Sequence, residues 1–191
     1  LLCEYKLFEH LFPLAAQSFV SDEISHKLVV ESLRNTDQRL AQGKSVNPAF
    51  IFAAILWGAM RARCASLVAS GIDEPEAFRV AVDQVIVEQV KRVAIPRRFT
   101  TVVRDIWFFQ SRLSKRTRKR ANKLLDHPRF RAAYDFLLLR ARSGEPLTEL
   151  GEWWTAFQET DDEGREKMLL ELRESSRNRR HSRTRRRNRS D

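Results

Sequence analysis

The sequence predicts an all-α protein, and three observations support this class. Gly and Pro are scarce, with six of each in 191 residues, so long segments run without the residues that interrupt helices. Apolar residues recur every three or four positions, and no segment alternates apolar and polar residues over the length of a strand. The few Pro, Gly and capping residues fall between these segments, and they predict where each helix begins and ends.

The first predicted helix covers the opening segment and ends at Pro13, because proline cannot continue the hydrogen-bonding of a helix interior. A second helix is predicted roughly over residues 22–41. Ser21 is expected to cap its N-terminus, and Gly43 stands just past its end, where a left-handed backbone conformation is common.

Two further helices are predicted in the central part of the chain. Asn47 followed by Pro48 is a start signal, since asparagine caps well and proline is favoured in the first turn. This helix is expected to stop at Gly71. Asp73 opens the next helix, and Pro96 ends it.

The last part of the chain contains four more predicted helices. Thr100 or Thr101 is expected to cap the first, which continues through a basic segment until Pro128 interrupts it. A helix then begins near Phe130 and ends before Gly144. An amphipathic segment with two tryptophans follows, and a short last helix is expected over residues 163–174.

The composition indicates a soluble cytosolic protein. Cys3 and Cys64 are far apart and have no metal-ligand spacing. No signal peptide is evident, and the longest apolar stretch, from Pro48 to Met60, has about 13 residues against the ~20 that a membrane span needs. The chain begins with Leu1 rather than Met, which suggests a fragment or a processed product.

The net charge of +10 is concentrated in two blocks. Residues 91–131 hold 14 Lys and Arg against 2 Asp and Glu, and residues 177–191 hold 8 Arg against one Asp. Residues 1–90 and 132–176 are net acidic, at −3 and −6. Segregated positive charge of this size favours a polyanionic partner, for which RNA, DNA and anionic membranes are the candidates.

The first block predicts a single-stranded RNA-binding face. Positions 112, 116, 119 or 120, and 123 fall on one face of a helix, where like charges repel unless phosphates compensate them. The alternative is a solvated face of long charged side chains. The candidate residues are Arg97, Arg98, Arg112, Lys115, Arg116, Lys119, Arg120, Lys123 and Arg129.

The second block predicts a disordered basic tail over residues 175–191, because it has no apolar side chain to bury. Arginine suits phosphate, since its planar guanidinium binds two oxygens and also stacks on bases. The alternative is a tail that serves only solubility. The candidate residues are Arg177, Arg179, Arg180, Arg183, Arg185, Arg186, Arg187 and Arg189.

Aromatic residues near the first block are mostly expected in the core, with Phe108 as the best candidate to stack on a base. The four histidines are scattered, so no metal site is predicted on this chain. Asp161 and Asp162 are interpreted as a turn or helix start. No catalytic triad or phosphate-binding Gly loop is present in the sequence, which indicates a non-catalytic, nucleic-acid-binding helical domain.

Several stretches, in order along nearly the whole chain, resemble the bacterial poly(A) polymerases of the class II nucleotidyltransferase superfamily, which also contains CCA-adding enzymes. An Arg-rich tail is typical of that family. The stretches are LLCEYKLFEHLFP (1–13), NTDQRL (35–40), VNPAFIFAAILW (46–57), AIPRRFTTVVRDIW (94–107), HPRFRAAYDFLLLRA (127–141) and EWWTAFQ (152–158).

The resemblance implies a parent enzyme that adds AMP from ATP to RNA 3′ ends, with Mg²⁺ held by an Asp-x-Asp pair near a Gly-Ser turn. This sequence has neither motif, so the catalytic head is expected upstream of residue 1 and this chain is expected to be inactive and to hold no cofactor. The resemblance also implies the end of the neck helix at 1–20 and an RNA-binding helical body at 21–174.

Three alternatives stay open on the sequence. The helical body could be a docking module that recruits RNA-decay or RNA-chaperone proteins through acidic and aromatic surfaces. It could belong to a CCA-adding relative, since the nucleotide-selecting residues are not in this sequence. It could also be a complete small enzyme, which a nucleotide-addition assay would reveal.

Overall fold

The computed structural model of the chain describes the backbone of residues 6–187, with all side chains in that range except those of 118–119 and 175–187. Over these residues the chain forms ten helices and no strand, which confirms the all-α prediction. The helices are α1 (Leu7–Leu11), α2 (Pro13–Ser21), α3 (Glu23–Ala41), α4 (Pro48–Ala69), α5 (Glu74–Val90), α6 (Arg97–Leu113), α7 (Arg118–Leu125), α8 (Phe130–Arg142), α9 (Thr148–Glu159) and α10 (Asp162–Arg187).

Helix α4 is the centre of the fold and packs against α2, α3, α5, α6 and α8. Its buried residues include many small ones, which let neighbouring helices approach closely. At Gly58 an added Cβ would lie 2.7 Å from Cβ of Ser25 and 2.8 Å from Oγ of Ser18, so α2 and α3 press directly on the α4 backbone.

By length and composition, α4 is the one helix of the described residues that could cross a membrane. It extends beyond the 13-residue apolar run in the sequence, because the helix continues from Met60 to Ala69. Five helices pack against it, chiefly through its N-terminal half, and the core helix of a water-soluble fold can have the same composition.

The helix starts confirm part of the sequence prediction and correct another part. Asn47 Oδ1 accepts a hydrogen bond from the Ala49 N–H at 3.0 Å, as its cap role predicts. The predicted cap Ser21 is wrong, because it is the last residue of α2 and Asp22 caps α3 instead. Pro13 begins α2 rather than only ending a helix, since the first turn needs no proline N–H.

The structure also corrects the predicted start and end of the helix in the basic segment. Helix α6 begins at Arg97 directly after Pro96, and the predicted caps Thr100 and Thr101 lie inside it, where both hydroxyls donate to the Arg97 carbonyl. The helix ends at Leu113, and a short connection precedes α7. Like charges three and four residues apart would destabilise a continuous helix here.

A separate apolar cluster joins the end of α6 to α7, α8 and α9. Trp154 is fully buried in it, and its indole N–H donates to the Leu113 carbonyl at 3.0 Å. This bond satisfies a carbonyl at the C-terminal end of α6, where no further helical turn is available to do so.

The C-terminal helix α10 differs from the sequence prediction. The sequence predicts a helix over 163–174 and disorder from Ser175, whereas the helix continues to Arg187. Arginine is a strong helix former, and the segment extends a helix whose first turns pack through Leu169. Residues 188–191 lie outside the described part of the chain.

Candidate nucleic-acid interface

The candidate site lies mainly along one face of α6. Arg98, Asp105 and Arg112 are spaced seven residues apart, which is nearly two full helical turns, so they follow one side of the helix. The opposite side of α6 is buried, with Ile106 and Trp107 fully enclosed. Packing of the apolar side therefore fixes the charged side toward solvent.

The turn between α7 and α8 lies along this same face. Arg129 Nε donates to Asp105 Oδ2 at 3.3 Å, and the His127 ring lies 4.8 Å from the ring of Phe109. The turn thus runs beside the middle of α6, and α7 begins close to its end. These contacts place α7 and the turn after it beside the C-terminal half of α6.

We name this surface the basic ridge. It follows α6 from its N-terminus, continues through the connection at 114–117 and ends on α7. Its members are Arg97, Arg98, Arg112, Lys115, Arg116, Arg120 and Lys123, of which all but the half-buried Arg116 are exposed.

The exposed cations of the ridge differ from neighbouring arginines in whether they form ion pairs. Three arginines of the same block are paired with carboxylates: Arg104 with Asp83, Arg129 with Asp105, and Arg131 with Asp135. Within the described residues, no ion pair involves the exposed ridge members Arg97, Arg98, Arg112, Lys115, Arg120 and Lys123. Their charge is therefore not neutralised by a carboxylate of the described residues.

The prediction of one continuous helical face from 112 to 123 is wrong, because α6 ends at Leu113 and α7 begins at Arg118. Lys115 and Arg116 lie in the connection. The Arg116 guanidinium lies 5.3 Å from the centre of a Trp153 ring, so this residue is held against α9. These cations are near one another because the C-terminal end of α6 is close to the N-terminal end of α7. They do not share one face of a single helix.

Some predicted residues cannot be placed on the ridge. The side chain of Lys119 lies outside the described part. Seven arginines of the second block, Arg177, Arg179, Arg180, Arg183, Arg185, Arg186 and Arg187, lie on α10 with side chains outside it. Arg189 lies outside it altogether. Their contact with RNA stays a prediction.

The structure confirms the core prediction for two aromatic residues and does not support the stacking prediction for a third. Trp107 and Phe109 are core residues, as predicted. Phe108 does not stand free as a stacking platform, because it packs against Phe78 with ring centres 5.7 Å apart. Phe99 is only half-buried, and the Arg98 guanidinium lies 4.9 Å from its ring centre.

The described residues offer no group of three or more His, Cys, Asp or Glu that could hold a metal ion. This part of the chain therefore supplies no ligand cluster for the Mg²⁺ that the resemblance implies for the parent enzyme. Asp161 behaves as a helix-start residue, since its carboxylate accepts the Gly164 N–H at 2.9 Å.

Sequence reasoning missed Arg39, Lys44 and Arg131, which line a cleft beside the N-terminal end of α6. Arg39 and Lys44 belong to the net acidic part of the chain, so no local charge signal marked them. Only the packing of α3 against α8 brings them near the basic block.

Fold and surface define an all-α protein with a basic ridge along α6 and α7 and a long basic C-terminal helix. Residues 70–190 match the family model described as the polymerase A arginine-rich C-terminus. The match covers more than half of the chain, and the chain belongs to this family.

Curated relatives agree with this assignment. The chain is 43% identical over 189 residues to Poly(A) polymerase I of Escherichia coli O6:H1, covering 96% of this chain and 40% of the relative. It is 40% identical over 176 residues to the protein of the same name from Salmonella typhi, covering 90% and 38%. For Haemophilus influenzae the identity is 38% over 175 residues, covering 90% and 39%. The chain thus spans about two fifths of the length of these relatives.

Proposed function

We propose that this chain is the RNA-holding C-terminal region of a bacterial poly(A) polymerase, a cytoplasmic enzyme that adds AMP from ATP to RNA 3′ ends. The family membership supports the parent activity, and the basic ridge supports the role of this region. The chemistry itself is assigned to a part of the enzyme other than these residues. The names of the relatives favour poly(A) polymerase over a CCA-adding parent.

One observation carries the proposal: exposed cations of the ridge have no carboxylate partner among the described residues, although neighbouring arginines do. An exposed cluster of like charges raises the energy of the protein alone. A phosphate backbone relieves that repulsion and releases counterions, which makes binding favourable and salt-dependent. No base-specific contact is required for this grip.

The docking alternative has less support from the structure. Trp154 and Phe157 are fully buried, and Trp153 is half-buried between Arg116 and Phe157. These aromatic residues therefore serve the core rather than an exposed docking surface.

Salt-dependent RNA binding tests the proposal. The variant Arg112→Ala/Lys115→Ala/Arg120→Ala/Lys123→Ala removes four ridge charges. Each phosphate contact contributes about −0.7 to the slope of log affinity against log salt for single strands, so four lost contacts flatten the slope by up to ~2.8. Fluorescence anisotropy with a labelled single-stranded RNA, repeated from low to high salt, measures this slope.

A control variant removes the same charge elsewhere. Lys27→Ala/Arg34→Ala/Arg63→Ala/Arg79→Ala removes four cations that pair with carboxylates on other surfaces. Exposed pairs contribute little to stability, so this variant should fold normally. An equal change of slope in both variants would show that net charge, rather than the ridge, determines binding.

A further inference from the structure

A basic cleft of about 800 Å³ lies at the N-terminal end of α6, where the ridge begins. Its walls come from the C-terminal end of α3, the connection to α4, the first turn of α6 and the start of α8. The volume lies within the range of small-ligand sites in proteins. Four separate chain segments therefore build one concave surface.

The cleft is positively charged. Arg39, Lys44 and Arg131 line it, against Asp135 as the one acidic residue of its lining. Arg39 Nη2 donates to the Ser45 carbonyl at 3.2 Å, and Arg131 pairs with Asp135 at 3.1 Å. Two arginines are thus held in place by the protein, and Lys44 makes no ion pair within the described residues.

The acidic residue of the cleft, Asp135, is partly removed from water. Burial raises the pKa of Asp135 and outweighs the opposing effects of Arg131, Arg39 and Arg142. The Arg131 side chain is 75% exposed and Lys44 is exposed, so both cations are open to a ligand that enters the cleft.

The cleft also offers flat apolar surface and amide groups. Phe50 and Phe99 are half-buried and line it, and the Arg98 guanidinium lies against the Phe99 ring. Asn35 and Asn47 add side-chain amides. Rings, amides and cations within one cavity match a nucleotide, which combines a base, polar edges and a phosphate.

We propose that this cleft binds one nucleotide unit, with the phosphate at Arg39, Lys44 and Arg131 and the base against Phe99. The inference rests on the proposed function, because it assigns a specific subsite to the RNA. Phe99 lines the cleft and directly follows Arg97 and Arg98, the ridge members at the start of α6. A strand lying on the ridge would therefore reach the cleft at the N-terminal end of α6.

The phosphate could belong to an RNA strand or to a free nucleotide, and the test uses both probes. The variant Arg39→Gln/Lys44→Glu alters the two cations that lie outside the basic block. Its control, Lys27→Glu/Arg34→Gln, makes the same charge change on α3 at residues that do not line the cleft. A labelled oligoadenylate is followed by anisotropy, and 5′-AMP by NMR chemical shifts, on the full chain.

We expect the cleft variant to bind oligoadenylate at least tenfold more weakly than the control, with a salt slope flatter by about 1.4 for two lost contacts. Loss of saturable 5′-AMP shifts as well would identify a site for free nucleotide. Loss of oligoadenylate binding alone would identify a site for a nucleotide within a strand. Affinity equal to that of the control for both probes overturns the inference.

A second variant tests the base. Phe99→Leu keeps an apolar side chain but removes the ring, and stacking on an aromatic side chain accounts for roughly tenfold or more in affinity. We expect this loss with an unchanged salt slope, because no phosphate contact is removed. Unchanged affinity would refute the stacking role.

The ridge variant separates the two proposals. If the ridge variant loses RNA affinity while the cleft variant binds like its control, RNA binding by the ridge is supported and nucleotide binding by the cleft is refuted. If only the cleft variant loses affinity, nucleotide binding by the cleft is supported and RNA binding by the ridge is refuted.

Discussion

Glu145 is the residue whose replacement tests the packing of this fold most directly. Its carboxylate accepts hydrogen bonds from Trp57 Nε1 at 3.0 Å, Arg140 Nε at 3.0 Å and Arg140 Nη2 at 2.6 Å. Arg140 also donates to Gln110 at 2.9 Å, and Arg61 approaches the same carboxylate at 3.6 Å. The network joins α4, α6 and α8 to the connection before α9.

The perturbation is Glu145→Gln, which keeps the shape and removes the charge. The side chains of Glu145 and Arg140 are only 9% and 12% exposed, so the remaining guanidinium would be poorly solvated. Removing one partner of a buried pair costs about 3–5 kcal/mol. Because the glutamine oxygen can still accept one bond, we expect a loss of about 2–4 kcal/mol in unfolding free energy at pH 7.

Urea denaturation followed by circular dichroism measures this loss, and thermal unfolding should show a decrease of roughly 5–15 °C for a chain of this size. Glu152→Gln is the control, since Glu152 is exposed on α9. A Glu145→Gln variant within about 0.5 kcal/mol of this control would refute the assignment of a stabilising network.

The pH dependence provides a second check on the same variant. Burial raises the pKa of Glu145, but the hydrogen bonds and charge of Arg140, with Trp57 and Arg61, outweigh it and lower the pKa overall. A carboxyl with a lowered folded-state pKa stabilises the fold above its unfolded value of about 4.3, and that contribution disappears as pH falls through the folded value. The difference between parent and variant should therefore shrink in acid.

Two further predictions concern helix contacts and helix ends. Gly58→Ala should destabilise the chain by about 1–3 kcal/mol, because the added Cβ would collide with the Ser25 side chain. Gly151→Ala should change the unfolding free energy by no more than about 0.5 kcal/mol, because its Cβ meets only the flexible end of a leucine. Asp22→Ala should cost about 1–2 kcal/mol, since its carboxylate accepts two backbone N–H groups of α3. Asp73→Ala should cost less, as the Asp73 side chain makes no capping hydrogen bond. Urea titration of the four variants measures both contrasts, and equal losses within either pair would contradict the corresponding reason.

Sequence patterns predicted the elements that depend on local chemistry. Asn47 with Pro48 fixed the start of α4, and Gly43 and Gly71 stand just past their helices with positive φ angles, as expected. Predictions failed where two signals competed within a few residues. Ser21 and Asp22 can both cap, and only the turn between α2 and α3 selects Asp22.

The sequence by itself determined the helical class, the segregation of charge and the family resemblance, because periodicity, composition and residue order are properties of the chain alone. Tertiary structure decided which cations share a surface. The ridge exists because α7 folds back beside α6, and the cleft exists because α3 and α8 place Arg39 and Lys44 next to Arg131. Residues so distant in sequence are brought together by burial of apolar helix faces, which no local pattern records.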